Sequence, residues 1–224
     1  MTKISIALAG LFVLALGGIR AGEAAPASGP AMLAAETGKP EVTATGGSMA
    51  LTADDRILGN KDAPITIIEY ASLDCPHCAA FEQGTLPEIK KNWIDTGKAR
   101  LVMRDFPLDG VALHAALLAR CAPPDKFYGF IDVLFRTQDG WARSSDPAAS
   151  LERIAKLGGM SGDQFTACMK NDALQNQILA GRIEAQKQFN VQSTPTFIIN
   201  GSEFVGDWPY ADVDAVLKSV APRA

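Results

Sequence analysis

The chain is 224 residues long and mildly acidic, with 21 Lys and Arg against 25 Asp and Glu and a formal net charge of −4. An acidic chain without a basic stripe is a poor candidate for nucleic-acid binding. The 2 His and 4 Cys also make a conventional zinc site hard to assemble, so we predict no metal site.

The first 27 residues have the layout of a secretory signal peptide. Lys3 precedes an uninterrupted apolar run from Ile4 to Gly18, and small residues follow up to position 27. The run is about 15 residues long, whereas a membrane-spanning helix needs about 20. We therefore predict a signal peptide over residues 1–27 and export to the periplasm. An uncleaved anchor is the alternative, and the cleavage position is left open.

Residues 28–51 are predicted to form a flexible linker. They consist mainly of Ala, Gly, Pro, Ser and Thr, with almost no large apolar side chains, and cannot bury enough surface to offset the entropy lost on ordering. No heptad spacing indicates a coiled coil here, and we expect a monomer. The remaining residues, 52–221, are enough for one domain with a sizeable core.

Two cysteines follow directly on an apolar, β-branched run. The run that begins at Ile65 is typical of a buried strand, and the helix after it is predicted to start at Cys75-Pro76-His77-Cys78. Unpaired backbone N–H groups and the helix dipole favour a thiolate at this position. We predict that Cys75 is the attacking cysteine, and that Cys78, one turn later, resolves the mixed disulfide.

His77 strengthens this interpretation. Its imidazole can donate a hydrogen bond, or a full charge when protonated, to the Cys75 thiolate. Stabilising the thiolate stabilises the reduced form, so the pair would give up its disulfide readily and act as an oxidant. The alternatives are half of a structural metal site or two inert buried thiols.

After the dithiol, a long helical segment lies between two regions with strand patterns. Gly110 to about Gly181 has helical patterning throughout, whereas strand patterns flank it on both sides. Asn200-Gly201 is a strong hairpin turn signal between the last two predicted strands. Asp146-Pro147 predicts a helix start, with Asp as the cap, and Ser161 to Gln164 fit a capping box. The predicted elements are a helix carrying Phe81, Leu86, Ile89 and Trp93, a strand over 99–106, helices over 111–121, 125–137, 147–157 and 163–169, a long helix through 174–189, strands over 196–199 and 203–205, and a final helix through 213–220.

Cys121 and Cys168 are the two remaining cysteines, and both fall in the helical segment without Cys-x-x-Cys spacing. In an oxidising compartment, a left-over even pair is most simply a structural disulfide. We predict that Cys121 and Cys168 form a bond that ties two helices together.

The chain resembles the DsbA family of thioredoxin-fold thiol oxidoreductases. The resemblance rests on Cys-Pro-His-Cys after a strand, on Thr194-Pro195 before a second strand, on the long helical interval between them, and on the lead-in over 58–69. It covers roughly residues 55–221. It implies an α/β thioredoxin fold, with a mixed central sheet flanked by helices and an all-helical subdomain inserted at about residues 110–175.

The resemblance also implies roles for residues outside the dithiol. Pro195 would be a cis proline facing the two cysteines, and Thr194, Pro195 and Pro76 would contact an extended substrate segment. Glu69, six residues before Cys75, would lie buried beneath the disulfide and exchange protons with Cys78. The best-known oxidase of the family has Val where this chain has Thr194, whereas Thr also occurs in isomerases.

These features predict an exported enzyme that introduces disulfide bonds into folding proteins. The dithiol itself carries two electrons, so no organic cofactor is expected. The partners implied are newly exported, cysteine-containing proteins and a membrane quinone reductase of the DsbB type that restores the disulfide. The alternatives are a disulfide isomerase or reductase of the same fold, which Thr194 favours, and a soft-metal (copper) module built on Cys75, His77 and Cys78.

Overall fold

The computed structural model describes residues 43–44 and 46–222. The predicted signal peptide and most of the predicted linker lie outside these residues. Within the predicted linker, Thr43–Ala44 form a short strand, β1, that pairs with a strand from the far end of the chain. Along the described part of the chain, no helix is both long and apolar enough to cross a membrane.

A mixed sheet forms the centre of the domain. In the described residues its order is β1-β6-β5-β3-β4-β2, with β3 and β4 parallel and every other neighbouring pair antiparallel. Because β5 runs antiparallel to β3, the end of β3 lies beside the beginning of β5. The strands are β1 (Thr43–Ala44), β2 (Ile57–Gly59), β3 (Ile65–Ala71), β4 (Ala99–Asp105), β5 (Thr196–Ile199) and β6 (Ser202–Val205).

Helices flank the sheet, and several of them form an insertion between β4 and β5. The first helix begins as α1 (Pro76–Ala80) and continues through a π-helical turn (Phe81–Thr85), α2 (Leu86–Ile89) and a second π-helical turn (Lys90–Ile94). The others are α3 (Gly110–Cys121), a 3₁₀ turn (Pro124–Lys126), α4 (Phe127–Arg136), α5 (Gln138–Ala142), α6 (Pro147–Leu157), α7 (Gly162–Met169), α8 (Asp172–Phe189) and α9 (Tyr210–Val220). This arrangement confirms the predicted fold class.

Side chains of β3 alternate between two apolar clusters, as the two-residue period of a strand requires. Ile65 and Ile67 pack with the helix that follows the dithiol and with α9. Ile68 and Tyr70 pack on the opposite face against the end of α8. A third cluster fills the helical insertion and includes Cys75 and Cys78. The dithiol therefore lies where the sheet meets the helical insertion.

Side-chain caps define several helices of the insertion, as the sequence predicts. Asp146 accepts a hydrogen bond from Ala149 N at the start of α6. At the start of α7, Ser161 and Gln164 form a reciprocal capping box. The short helix α5 was not predicted, because five residues without a side-chain cap carry little periodic signal.

Candidate active site

Cys75 occupies the N-cap position of α1, directly after the loop that leaves β3. Its backbone is extended, and Pro76 follows at the start of the helix, where a residue without an N–H is tolerated. Cys75 is 6% exposed, whereas Cys78 is completely buried one turn later. An incoming sulfur can therefore reach Cys75 but not Cys78.

The two thiols differ strongly in acidity. A hydrogen bond with the Cys78 side chain lowers the pKa of Cys75 most, and the Thr194 hydroxyl and the first backbone N–H groups of α1 lower it further. These contacts outweigh burial and bring the pKa of Cys75 to about 5. Burial, the bond with Cys75 and the nearby Glu69 carboxyl raise the pKa of Cys78 well above its ordinary value. One member of the pair is an accessible thiolate at neutral pH, and the other is a buried thiol.

The Thr194–Pro195 peptide bond is cis and faces the dithiol. The Cys75 Sγ donates to the carbonyl oxygen of Thr194 at 3.3 Å. The Thr194 hydroxyl is buried and has no hydrogen-bond partner among the described residues. When Cys75 loses its proton, this hydroxyl is a donor available to the thiolate. Pro76 is exposed beside the sulfur.

His77 lies at the rim of the site, with its side chain 70% exposed. Its Nδ1 is 3.1 Å from Oδ1 of Asp207, which lies in the loop after β6. The sequence predicted that this imidazole can donate to Cys75. In the structure its Nδ1 is paired with Asp207 instead, because the loop after β6 brings that carboxylate against the exposed ring. The contribution of His77 to the acidity of Cys75 comes from its backbone N–H.

Glu69 is completely buried, and neither of its carboxyl oxygens has a hydrogen-bond partner among the described residues. Burial, followed by the proximity of Glu82, raises the pKa of Glu69 well above its ordinary value. Burial also raises the pKa of Glu82 to about 8, with Asp132 adding to the effect. Both carboxyls therefore hold their protons more tightly than exposed carboxyls do, and Glu69 lies near Cys78. Glu82 was not predicted, although its position four residues after Cys78 places it on the same helical face.

Gln138 connects the helical insertion to the dithiol loop. Its buried amide donates to the carbonyl oxygens of Leu73 at 2.7 Å and of Cys75 at 3.0 Å. Both N–H groups of this amide are therefore used on the backbone beside the reactive cysteine. Gln138 was not predicted, because it begins the short helix α5, which the sequence pattern did not indicate.

Cys121 and Cys168 lie apart from this site and are joined in a disulfide between α3 and α7, with their Cα atoms 6.1 Å apart. In the described residues, no group of three or more His, Cys, Asp and Glu side chains is arranged to hold a metal ion. The structure thus brings together Glu69, Cys75, Cys78, Thr194 and Pro195.

Comparison with known proteins places this geometry in a family. The family model described as Thioredoxin matches residues 51–219. A Rickettsia prowazekii protein named as a protein-disulfide oxidoreductase is 35% identical over 167 residues, which cover 74% of this chain and 61% of that one. The chain spans about three fifths of the length of the Rickettsia proteins that it matches.

Two solved structures of disulfide-exchange proteins are also similar to this chain. The crystal structure of Wolbachia pipientis α-DsbA1 is 31% identical, with a TM-score of 0.72, and the match covers 77% of this chain and 93% of that one. A protein-disulfide isomerase from Novosphingobium aromaticivorans is 26% identical, with a TM-score of 0.65 and coverage of 75% and 98%. The chain belongs to the DsbA family of thioredoxin-fold proteins.

Proposed function

We propose that this protein is an exported thiol:disulfide oxidoreductase that introduces disulfide bonds into folding proteins through Cys75 and Cys78. The observation that carries the proposal is the asymmetry of the pair. Cys75 is the accessible sulfur and has a pKa of about 5, whereas Cys78 is buried and has a raised pKa. This is the arrangement that a disulfide donor requires.

The first step of the proposed reaction depends on the different exposure and the different pKa of Cys75 and Cys78. A substrate thiolate attacks the Sγ of Cys75, a bond forms between the two sulfurs, and the Cys75–Cys78 bond breaks. Cys78 leaves with the electron pair of that bond. A thiolate of high pKa is a poor leaving group, and transfer of a proton from the buried Glu69 carboxyl offsets this.

The second step uses the acidity of Cys75. A second substrate thiolate attacks the substrate sulfur of the mixed disulfide, the substrate disulfide forms, and Cys75 leaves as a stable thiolate. Low pKa makes a thiol a fast leaving group. The substrate has lost two electrons, and the dithiol has gained them. Thr194, Pro195 and Pro76 border the sulfur and are proposed to hold the extended substrate segment.

The proposed setting follows from the family and from the predicted signal peptide. Membership of the DsbA family supports cysteine-containing clients after export, and a membrane quinone reductase of the DsbB type that restores the disulfide. We propose the periplasm as the location and both kinds of protein as partners. The described residues offer no metal-binding cluster that would support the copper alternative.

The direct test is the oxidation of reduced, unfolded ribonuclease A by the oxidised protein. The expected result is recovery of ribonuclease activity well above that in glutathione buffer alone, with stoichiometric reduction of Cys75 and Cys78. Failure to accelerate recovery, with the Cys75–Cys78 bond left intact, would contradict the proposal.

A trapping experiment tests the roles of the two sulfurs. In Cys78→Ser the mixed disulfide cannot be resolved internally, so a cysteine-containing peptide is expected to remain attached to Cys75. Mass spectrometry identifies the bonded residue. Attachment at Cys121 or Cys168 instead would mean that the reactive pair has been misassigned.

Isomerisation is the second candidate. It is favoured by Thr194 at the position before the cis proline, and a 26% identical structural neighbour is named as a protein-disulfide isomerase. Reactivation of scrambled ribonuclease by the reduced protein measures this activity. Faster reactivation of scrambled than of reduced ribonuclease would favour the isomerase over the oxidase.

A further inference from the structure

The rim of the dithiol is in contact with a residue from far along the chain. The Nδ1 of His77 lies 3.1 Å from Oδ1 of Asp207, 130 residues away. A carboxylate only accepts hydrogen bonds, so Nδ1 carries the hydrogen and is the donor. A neutral imidazole has a single N–H. While this pair is formed, neutral His77 has no N–H group left for the sulfur of Cys75.

The loop that carries Asp207 is fixed on both sides. On one side, Gly206 adopts a positive φ of 100°, and its N–H donates to the carbonyl oxygen of Pro195 at 2.8 Å. On the other side, Trp208 is 8% exposed and its carbonyl oxygen accepts from the Thr85 hydroxyl at 2.8 Å. The carboxylate is thus held between the cis-proline turn and the helix that follows the dithiol.

His77 can donate to either of two anions, the Asp207 carboxylate or the Cys75 thiolate. The carboxylate is present in both redox states, whereas the thiolate exists only in the reduced protein. A hydrogen bond to the thiolate stabilises the reduced form and makes the disulfide more oxidising. While Asp207 holds the neutral imidazole, the reduced protein forgoes that stabilisation.

We propose that Asp207 is a positioning residue that holds the His77 imidazole away from Cys75 and so makes the dithiol less oxidising. This inference rests on the exchange reaction proposed above for Cys75 and Cys78. It assigns the tuning of the dithiol to a residue outside the Cys-Pro-His-Cys segment. It also accounts for the outward orientation of an imidazole that sequence alone places beside the thiolate.

The test is the equilibrium of Asp207→Asn with glutathione. Two glutathione thiols lose two electrons and two protons as they form glutathione disulfide, and the Cys75–Cys78 disulfide gains them to become the dithiol. In Asp207→Asn the equilibrium constant is expected to shift toward the reduced protein by about two- to five-fold, the size of one exposed electrostatic contact, here the hydrogen bond that the thiolate gains. The thiolate absorbance of Cys75 at 240 nm should titrate at a correspondingly lower pH.

Two matched variants separate positioning from simple loss of charge. Asp212→Asn removes an exposed carboxylate from the first turn of α9 and is expected to shift the equilibrium less. In a His77→Ala background, Asp207→Asn should lose most of its effect. An effect equal to that of Asp212→Asn, an effect of opposite sign, or one that persists at full size without His77 would overturn the proposal.

The experiment also distinguishes this inference from the proposed function. If the wild-type dithiol did not equilibrate with glutathione, the exchange function would fail. The absorbance titration of Cys75 in Asp207→Asn would still decide the role of Asp207. An unchanged titration midpoint would refute that role even if wild-type exchange proceeded normally.

Discussion

The two cysteine pairs of this protein occupy opposite ends of helices. Cys75 precedes the first turn of α1, where backbone N–H groups point at its sulfur. Cys121 is the last residue of α3 and Cys168 lies in the last turn of α7, where carbonyl groups are exposed; the Cys168 sulfur is 3.2 Å from the carbonyl oxygen of Leu117. A helix N-terminus stabilises a thiolate and a C-terminus does not. Position on the helix therefore separates a reactive pair from a structural one.

The largest expected difference between the pairs is in disulfide transfer. Cys75→Ser should abolish oxidation of reduced ribonuclease, because it removes the only accessible sulfur of the reactive pair. The double variant Cys121→Ser, Cys168→Ser should transfer disulfides at close to the wild-type rate. Loss of transfer in the double variant, with its fold intact by circular dichroism, would show that Cys121 and Cys168 take part in disulfide exchange.

Stability should show the reverse pattern. The Cys121–Cys168 bond joins residues 47 positions apart in the sequence. The double Ser variant, which lacks this bond, is expected to lose about 2–4 kcal/mol of unfolding free energy. Urea denaturation of the oxidised proteins measures the loss. A decrease below about 0.5 kcal/mol would mean that the bond does not stabilise the helical insertion.

Gln138→Leu tests the connection between the helical insertion and the reactive pair. It leaves the carbonyl oxygen of Leu73 buried without its donor, at an expected cost of about 1–3 kcal/mol in unfolding free energy. Gln83→Leu is the matched control, since Gln83 is exposed and its amide donates across 3.4 Å to Phe135. Equal losses of unfolding free energy in the two variants would show that Gln138 stabilises the dithiol loop no more than an ordinary surface hydrogen bond does.

The pH dependence of stability tests the buried carboxyls beside the reactive pair. Burial raises the pKa of Glu82 to about 8, so its contribution to stability is fully present below its unfolded pKa and is lost as the pH rises toward 8. In the oxidised protein, whose cysteines do not titrate, unfolding free energy should fall between pH 5 and 8. One such group contributes at most about 1.4 kcal/mol per pH unit.

Glu82→Gln removes this titration and is the matched comparison. Its unfolding free energy should fall less steeply than that of the wild type across the same pH range. Glu69 titrates in the same direction, so Glu69→Gln should also flatten the profile. Identical profiles in all three proteins would show that neither carboxyl is buried as described.

Local sequence signals predicted most of the fold. The apolar run of β3, the Asp146 cap of α6, the Ser161 capping box of α7 and the Asn200-Gly201 turn all act over a few residues, and each element forms where its signal predicted. The strand β1 had no such signal. Thr43–Ala44 lie in a segment of low hydrophobicity and are ordered by pairing with the distant Ser202 and Glu203.

Much of the site could not be predicted, because its contacts join residues far apart in the chain. Gln138 reaches the dithiol loop across 63 residues and Asp207 reaches His77 across 130. No spacing rule connects such positions. The cysteines carry a local motif, and Glu69 was found only through a family resemblance. The surroundings that tune them are assembled by the tertiary fold.

Cys75 is expected to be a thiolate at neutral pH, whereas Cys78 is expected to stay protonated. The most direct test is the absorbance of the reduced protein at 240 nm as a function of pH, with Cys75→Ser as the blank. A single thiolate is expected that titrates near pH 5 and is absent from Cys75→Ser. A titration midpoint of about 8.5, the ordinary pKa of cysteine, would contradict this assignment.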